Sequence, residues 1–111
     1  MRIKRKDCEQ VLWMHVVLKE FAEEHKLWLV KEYKFAHNRK FRSDFAFPAE
    51  YILIEYEGII SEKSGHTSFL GYAKDVEKYN LAAQLGYKVL RFTVFNYQSV
   101  IEEVKKIMKY G

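Results

Sequence analysis

Three carboxylates and one arginine lie in two neighbouring stretches in which apolar and polar residues alternate. Arg42 and Asp44 belong to the first stretch, and Glu55 and Glu57 belong to the second. Successive side chains of a strand point to opposite faces of a sheet, so these four share one face and the aromatic and aliphatic residues take the other. Carboxylate oxygens at this spacing suit Mg²⁺ or Mn²⁺, with water completing the coordination. The pattern indicates a divalent-cation site or, if that face meets solvent, acids neutralised by Arg42 and nearby lysines.

The pairing of the two stretches depends on the turn between them, which contains Pro48. If Phe47 lies opposite Ile52 across a four-residue turn, Asp44 faces Glu55 and Arg42 faces Glu57. A three-residue turn would send Asp44 to the other face. The site therefore requires the four-residue turn or a bulge.

Basic residues accompany the acids along the chain. An anionic polymer such as a phosphate backbone is the partner that such cations, beside carboxylates holding a metal, would bind. His66 lies in a polar, glycine-flanked stretch over 58–71, where it is either an exposed side chain or a group for proton transfer or phosphate contact. The candidate phosphate-binding residues are Arg39, Lys40, Arg42, His66, Lys74, Lys78 and Arg91.

The elements that would position these residues follow from hydrophobic periodicity and turn residues. We expect a helix over 7–25 capped by Asp7, strands over 27–35, 41–47 and 52–57, a helix over 72–85 ended by Gly86, a strand over 87–94 and a helix over 99–110. Short turns make the first three strands antiparallel, and the intervening helix makes the last strand parallel to the third. The sequence thus predicts an α/β fold, αβββαβ(α), with a four-stranded mixed sheet flanked by helices.

Composition limits the remaining classes. The 111 residues suffice for one domain, 1–111, with a core over about 7–95 and a C-terminal helix over about 97–110. The net charge of +4 permits a polyanionic partner, and one cysteine leaves neither a disulfide framework nor a thiolate cluster. We find no glycine-rich phosphate loop, HExxH motif or nucleophile elbow, which removes support for nucleotide hydrolysis, zinc sites and acyl transfer. No apolar stretch is long enough for a membrane span or signal peptide, so we expect a cytoplasmic protein.

Five ordered strings carry a resemblance to a known superfamily: RKFRSDFAFP at 39–48, IEYEG at 54–58, GH at 65–66, KDVEKYN at 74–80 and GYKVLRF at 86–92. Together they resemble the PD-(D/E)XK nuclease superfamily, in particular small phage and bacterial nucleases of the very-short-patch-repair type and Holliday junction resolvases. The similarity spans 32–92 and implies a restriction-endonuclease-like core. It makes Asp44 and Glu55 metal-binding acids. Glu57 stands where the superfamily commonly has its catalytic lysine, and Lys78 of the following helix could serve instead, with Glu57 as a further ligand or as a partner for a basic neighbour.

The resemblance also suggests secondary candidates and a function. Glu20 represents the acid that the superfamily often supplies from its first helix, and Glu32 and Asp75 match the strings. The implied function is a Mg²⁺-dependent endodeoxyribonuclease, structure-selective towards branched DNA such as a Holliday junction and acting as a homodimer. Two alternatives remain: a non-catalytic DNA-binding module on a nuclease-derived fold, and a nicking or mismatch endonuclease on linear duplex. The residues do not distinguish DNA from RNA.

Overall fold

One four-stranded sheet organises the chain, with strand order β1-β2-β3-β4. The computed structural model describes residues 8–58 and 69–109. Neighbouring strands β1, β2 and β3 run antiparallel, and β4 runs parallel to β3. The predicted α/β class, element order and mixed sheet are confirmed. The elements are α1 (Glu9–His25), β1 (Val30–Lys34), β2 (Arg42–Phe47), β3 (Ile52–Tyr56), α2 (Phe69–Gln84), β4 (Lys88–Phe92) and α3 (Val100–Met108).

The β2–β3 connection has the length that the carboxylate site requires. Phe47 lies opposite Ile52, as predicted. The intervening residues form a 3₁₀ turn over Pro48–Glu50, followed by Tyr51 with φ of 59°. Pro48 fits the first position of that turn because its fixed φ suits the 3₁₀ conformation and its missing N–H is not needed there. Asp44 and Glu55 lie one residue beyond the last backbone pair, Phe45 with Ile54, so the predicted pairing of Asp44 with Glu55 is not among the observed β2–β3 pairs.

Alternation along β2 and β3 divides the core into two clusters, one on each face of the sheet. Phe45, Phe47 and Ile54 pack with α1 and α3. Ala46 and Leu53 face the other way and pack with Ala82 of α2. By the same alternation, the predicted carboxylates lie on the α2 face. Helices therefore cover both faces, as the sequence predicts.

Several predicted boundaries were wrong at their ends. Asp7 lies outside the described residues, and Cys8 occupies the N-cap of α1. β1 spans Val30–Lys34 instead of 27–35, because residues 27–29 connect it to α1 before sheet pairing begins. α2 begins at Phe69, so the end of the predicted loop is helical, and α3 begins at Val100 after a 3₁₀ turn over Tyr97–Ser99. Relative to prediction, β2 and β3 each lose one terminal residue and β4 loses three.

Two further local features bear on packing. Gly86 has a φ of 91°, as expected for the residue that ends α2.

Phe41 was predicted to share the face of Phe45 and Phe47, and this was wrong. Because β2 begins only at Arg42, alternation does not govern Phe41, which packs in the α2-side cluster and stacks against Phe35. Within the described residues, none of the helices combines the length and apolar character needed to cross a bilayer.

Candidate functional site

Two side chains of β2 accept hydrogen bonds from backbone N–H groups of β3, where backbone carbonyls would otherwise accept them, and this fixes the position of the Asp44 carboxylate. The hydroxyl of Ser43 accepts a hydrogen bond from the backbone N–H of Ile54 at 3.2 Å and lies 3.0 Å from the carbonyl oxygen of the same residue. The backbone N–H of Tyr56 donates to Oδ2 of Asp44 at 2.7 Å. Asp44 is 7% exposed. A buried carboxylate held by a main-chain donor has little rotational freedom, so its position is set by the sheet itself.

Glu55, the next acid, forms an ion pair with α2. Nζ of Lys78 lies 2.9 Å from Oε1 of Glu55, and the side chains are 12% and 2% exposed. The hydroxyl of Tyr79 also donates to Oε1 of Glu55, at 3.4 Å. Lys78 and Tyr79 stand one turn before Ala82, whose small side chain packs on the sheet. The helix therefore presents an ammonium and a phenol to a carboxylate that is almost fully removed from water.

The third acid, Glu57, follows the end of β3 and belongs to a separate contact. Nε of Arg91 donates to Oε1 of Glu57 at 2.6 Å, and the Tyr79 hydroxyl lies 3.3 Å from the same oxygen. The guanidinium of Arg91 stacks over the Tyr79 ring at 4.3 Å from its centroid. Glu57 thus neutralises a basic neighbour, and that neighbour is Arg91 of β4. The expected pairing with Arg42 was wrong, because the backbone pairs between β2 and β3 stop at Phe45 and Ile54 and Arg42 is exposed.

Tyr79 joins the two acidic contacts and was not assigned a role from sequence. Burial, followed by the charges of Glu55 and Glu57, raises the pKa of Tyr79 far above its ordinary value of 10.0. Its hydroxyl therefore keeps its proton and serves one carboxylate at a time as donor. The available signal was helical spacing, since Tyr79 and Ala82 lie three residues apart. Burial lowers the pKa of Arg91, but the hydrogen bond and charge of Glu57 outweigh it and raise that pKa overall.

The other predicted residues lie around this centre or away from it. Arg39 forms an ion pair with Glu77 at 2.5 Å, and its guanidinium lies over the Phe41 ring. Glu32 is exposed and has a φ of 51°. It lies in β1 between Lys31 and Tyr33, which pair with the two residues on either side of Asp44. Glu20 is exposed on α1, which packs on the opposite face of the sheet. His66 lies outside the described residues. The remaining candidates are exposed: Lys40 before β2, and Lys74 and Asp75 on α2.

A divalent cation can be tested against this donor set. Within residues 8–58 and 69–109, no group of three or more His, Cys, Asp or Glu side chains is gathered as a protein-only metal cage. Mg²⁺, however, is commonly held by one or two carboxylates together with water and substrate phosphate oxygens. Asp44 and Glu55 supply such a pair of oxygen donors, whereas Glu57 is directed to Arg91. The residues present therefore fit a two-carboxylate Mg²⁺ or Mn²⁺ site.

Similarity to known proteins does not assign the chain to a family. No protein-family model, curated protein or solved structure matches the chain. The function therefore rests on the geometry of the site. Two buried carboxylates, an ammonium on one of them and a protonated phenol between acids can hold a cation, orient water and contact an anionic group.

Proposed function

We propose that this protein is a divalent-metal-dependent endodeoxyribonuclease of the PD-(D/E)XK type that hydrolyses DNA phosphodiester bonds. The observation that carries the proposal is the burial of two acids, Asp44 and Glu55, on neighbouring strands, with Lys78 of α2 in contact with Glu55. Buried acids are costly unless paired or bound to a cation. The presence of these buried acids, one of them paired with a lysine, supports a site at which their negative charges are needed for chemistry.

Each residue of this site has a role in the proposed hydrolysis. Asp44 and Glu55 would hold the Mg²⁺, which when bound neutralises charge on the phosphate and lowers the pKa of water. The backbone N–H of Tyr56 orients the Asp44 carboxylate at 2.7 Å. Lys78 carries a positive charge into the site and stabilises the negative charge that develops on the phosphate. Arg91 and Tyr79 contact Glu57, and Lys78 is the cation in contact with Glu55 among the described residues.

The exposed cations around the site bear on the preferred substrate. Contacts to phosphate fix the position of a protein on DNA but carry no sequence information. Selection by DNA shape is therefore favoured over sequence recognition. We propose branched DNA such as a four-way junction as substrate, cut by a homodimer that presents two sites, in the cytoplasm. Exposed Lys40, Arg42 and Lys74 support contact with the phosphate backbone.

One observation favours a second candidate, a non-catalytic DNA-binding module. Such a module predicts that a lysine, in place of a metal, neutralises the acidic face. The Lys78–Glu55 ion pair at 2.9 Å satisfies this condition, and Glu57 is likewise paired with Arg91. The two candidates differ in metal dependence: the nuclease needs Mg²⁺ or Mn²⁺ for cleavage, whereas the module binds DNA equally well in EDTA.

Cleavage of labelled DNA separates these candidates. A four-way junction, a nicked duplex and a plain duplex are incubated with Mg²⁺, Mn²⁺ or EDTA. Asp44→Asn and Glu55→Gln should abolish metal-dependent cutting, whereas Glu77→Gln, on the exposed side of α2, should not. Loss of cleavage in Lys78→Ala with DNA binding retained would support the lysine's role. If no substrate is cut and binding is insensitive to EDTA, the nuclease is rejected in favour of the module. Preference for plain or nicked duplex would instead indicate a nickase.

A further inference from the structure

An open groove lies between the C-terminal half of α1 and the start of β1, at the edge of the sheet. Its volume is about 800 Å³. His15 in its floor stacks on Phe45, which packs in the α1-side cluster. The groove is therefore separated from Asp44 and Glu55 by the sheet. We define the α1–β1 groove by the polar and aromatic residues that line it: His15, Lys19, Glu23, Lys26, Trp28 and Lys31.

Trp28 presents a large aromatic surface to this groove. Its side chain is 62% exposed, whereas Leu27 and Leu29 on either side pack against the core. The chain direction here is fixed, because Lys26 adopts a left-handed conformation and the N–H of Leu27 donates to the carbonyl of Ala22 at 2.8 Å. Trp28 is thus held outward by two inward leucines on a hydrogen-bonded turn. An exposed indole on a hydrogen-bonded turn is a surface on which a planar ring can stack.

The walls of the groove are positively charged. Lys19, Lys26 and Lys31 line it together with one acid, Glu23. Lys19 comes from α1 and Lys31 from β1, so cations face the groove from both sides. Burial lowers the pKa of His15, and the charges of Lys31 and Lys19 lower it further, because both ammonium groups act at the same place. The groove therefore combines converging positive charge with an exposed indole.

We propose that the α1–β1 groove binds single-stranded nucleic acid, with a base stacked on Trp28 and phosphates contacted by Lys19, Lys26 and Lys31. An unpaired base exposes its flat face, whereas bases within a duplex are stacked on each other, so the indole favours a single strand. Charge complementarity favours a polyanion over an apolar peptide. This binding needs neither metal nor the carboxylates, and so goes beyond the proposed cleavage.

Intrinsic fluorescence can test the inference directly because the chain has two tryptophans. Trp13→Phe leaves Trp28 as the emitter, and Trp28→Phe leaves Trp13, which packs edge-on against Tyr97. Titration with an oligothymidylate of about twelve nucleotides, in EDTA, should quench Trp28 and not Trp13. By anisotropy of a labelled oligonucleotide, Trp28→Ala should weaken binding roughly 5- to 100-fold, with Trp28→Phe partly restoring it. Phe95→Ala removes an aromatic residue outside the groove that is even more exposed than Trp28 and should have no effect.

Salt dependence and competition complete the test. Lys19→Gln and Lys31→Gln should each lower the slope of log K against log salt by about 0.7, whereas Lys109→Gln should leave it unchanged. Equal competition by inorganic polyphosphate or duplex DNA, or an unquenched Trp28, would overturn the proposal in favour of a non-specific basic patch. Asp44→Asn should bind the oligonucleotide as wild type does. Loss of cleavage and loss of groove binding are thereby distinguished.

Discussion

Replacing Lys78 by methionine tests whether the Glu55 ion pair belongs to the folded core. Methionine keeps the length and helix propensity of lysine but removes the ammonium 2.9 Å from Glu55. The side chain of Glu55 is 2% exposed and that of Lys78 is 12% exposed, so the ion pair is almost completely shielded from solvent. Removing one partner of a buried pair costs about 3–5 kcal/mol. The partial exposure of Lys78 favours the lower end, and about 3 kcal/mol in a chain of this size lowers Tm by roughly 12 °C.

Thermal and urea unfolding in EDTA provide the measurement. Lys74→Met, one turn earlier on α2 and exposed to solvent, is the matched control and should change the free energy of unfolding by less than about 0.5 kcal/mol. The double variant Lys78→Met with Glu55→Gln should be more stable than Lys78→Met alone, because it removes the uncompensated charge. Mg²⁺ should raise Tm of Lys78→Met more than that of wild type. A cost of Lys78→Met no larger than the control's would refute the buried pair.

Three further changes probe the sheet, the groove and a turn. Asp44→Ala should cost about 1–3 kcal/mol because the buried N–H of Tyr56 loses its acceptor, whereas Asp44→Asn retains one; equal melting temperatures would contradict this. The pKa of His15 is lower in the folded chain than its ordinary value of 6.5, so below that pH the unfolded chain binds more protons and the free energy of unfolding falls as pH decreases. Urea titrations at several pH values should show that His15→Gln reduces this pH dependence. An unchanged pH dependence would mean that other groups cause it. Gly86→Ala should cost about 1–2 kcal/mol in denaturant unfolding because of the positive φ at that position, and a neutral result would show that the turn relaxes.

The sheet and its register could be predicted because they depend on local pattern. The alternation that ends at Phe47 and resumes at Ile52 leaves a single turn length that keeps the apolar residues on one face. The same alternation predicts Asp44 opposite Glu55, one position beyond the last observed backbone pair, Phe45 with Ile54. Lys78 was a candidate because of the family resemblance, and its position four residues before Ala82 is consistent with the observed contact with Glu55.

The contacts that the sequence did not predict depend on long-range geometry. Whether Glu57 meets Arg42 or Arg91 depends on where the β2–β3 ladder stops, and Ser43 sets that point by bonding to the backbone of Ile54. Helical spacing places Tyr79 near the face of Ala82, but its contact with both Glu55 and Glu57 depends on where the two acids lie beneath α2. The α1–β1 groove lies between the end of α1 and the start of β1, so the sequence pattern of neither element alone predicts it.

The hydrogen bond from Tyr56 to Asp44 gives the site a built-in spectroscopic reporter. The amide of Tyr56 donates to Oδ2 of a carboxylate in place of a neighbouring strand's carbonyl. Its proton frequency and its exchange with deuterium should therefore respond to every change of charge on Asp44. In a ¹⁵N-labelled sample, that single resonance would register protonation of the acid, arrival of a cation and binding of a phosphate without any probe attached to the protein.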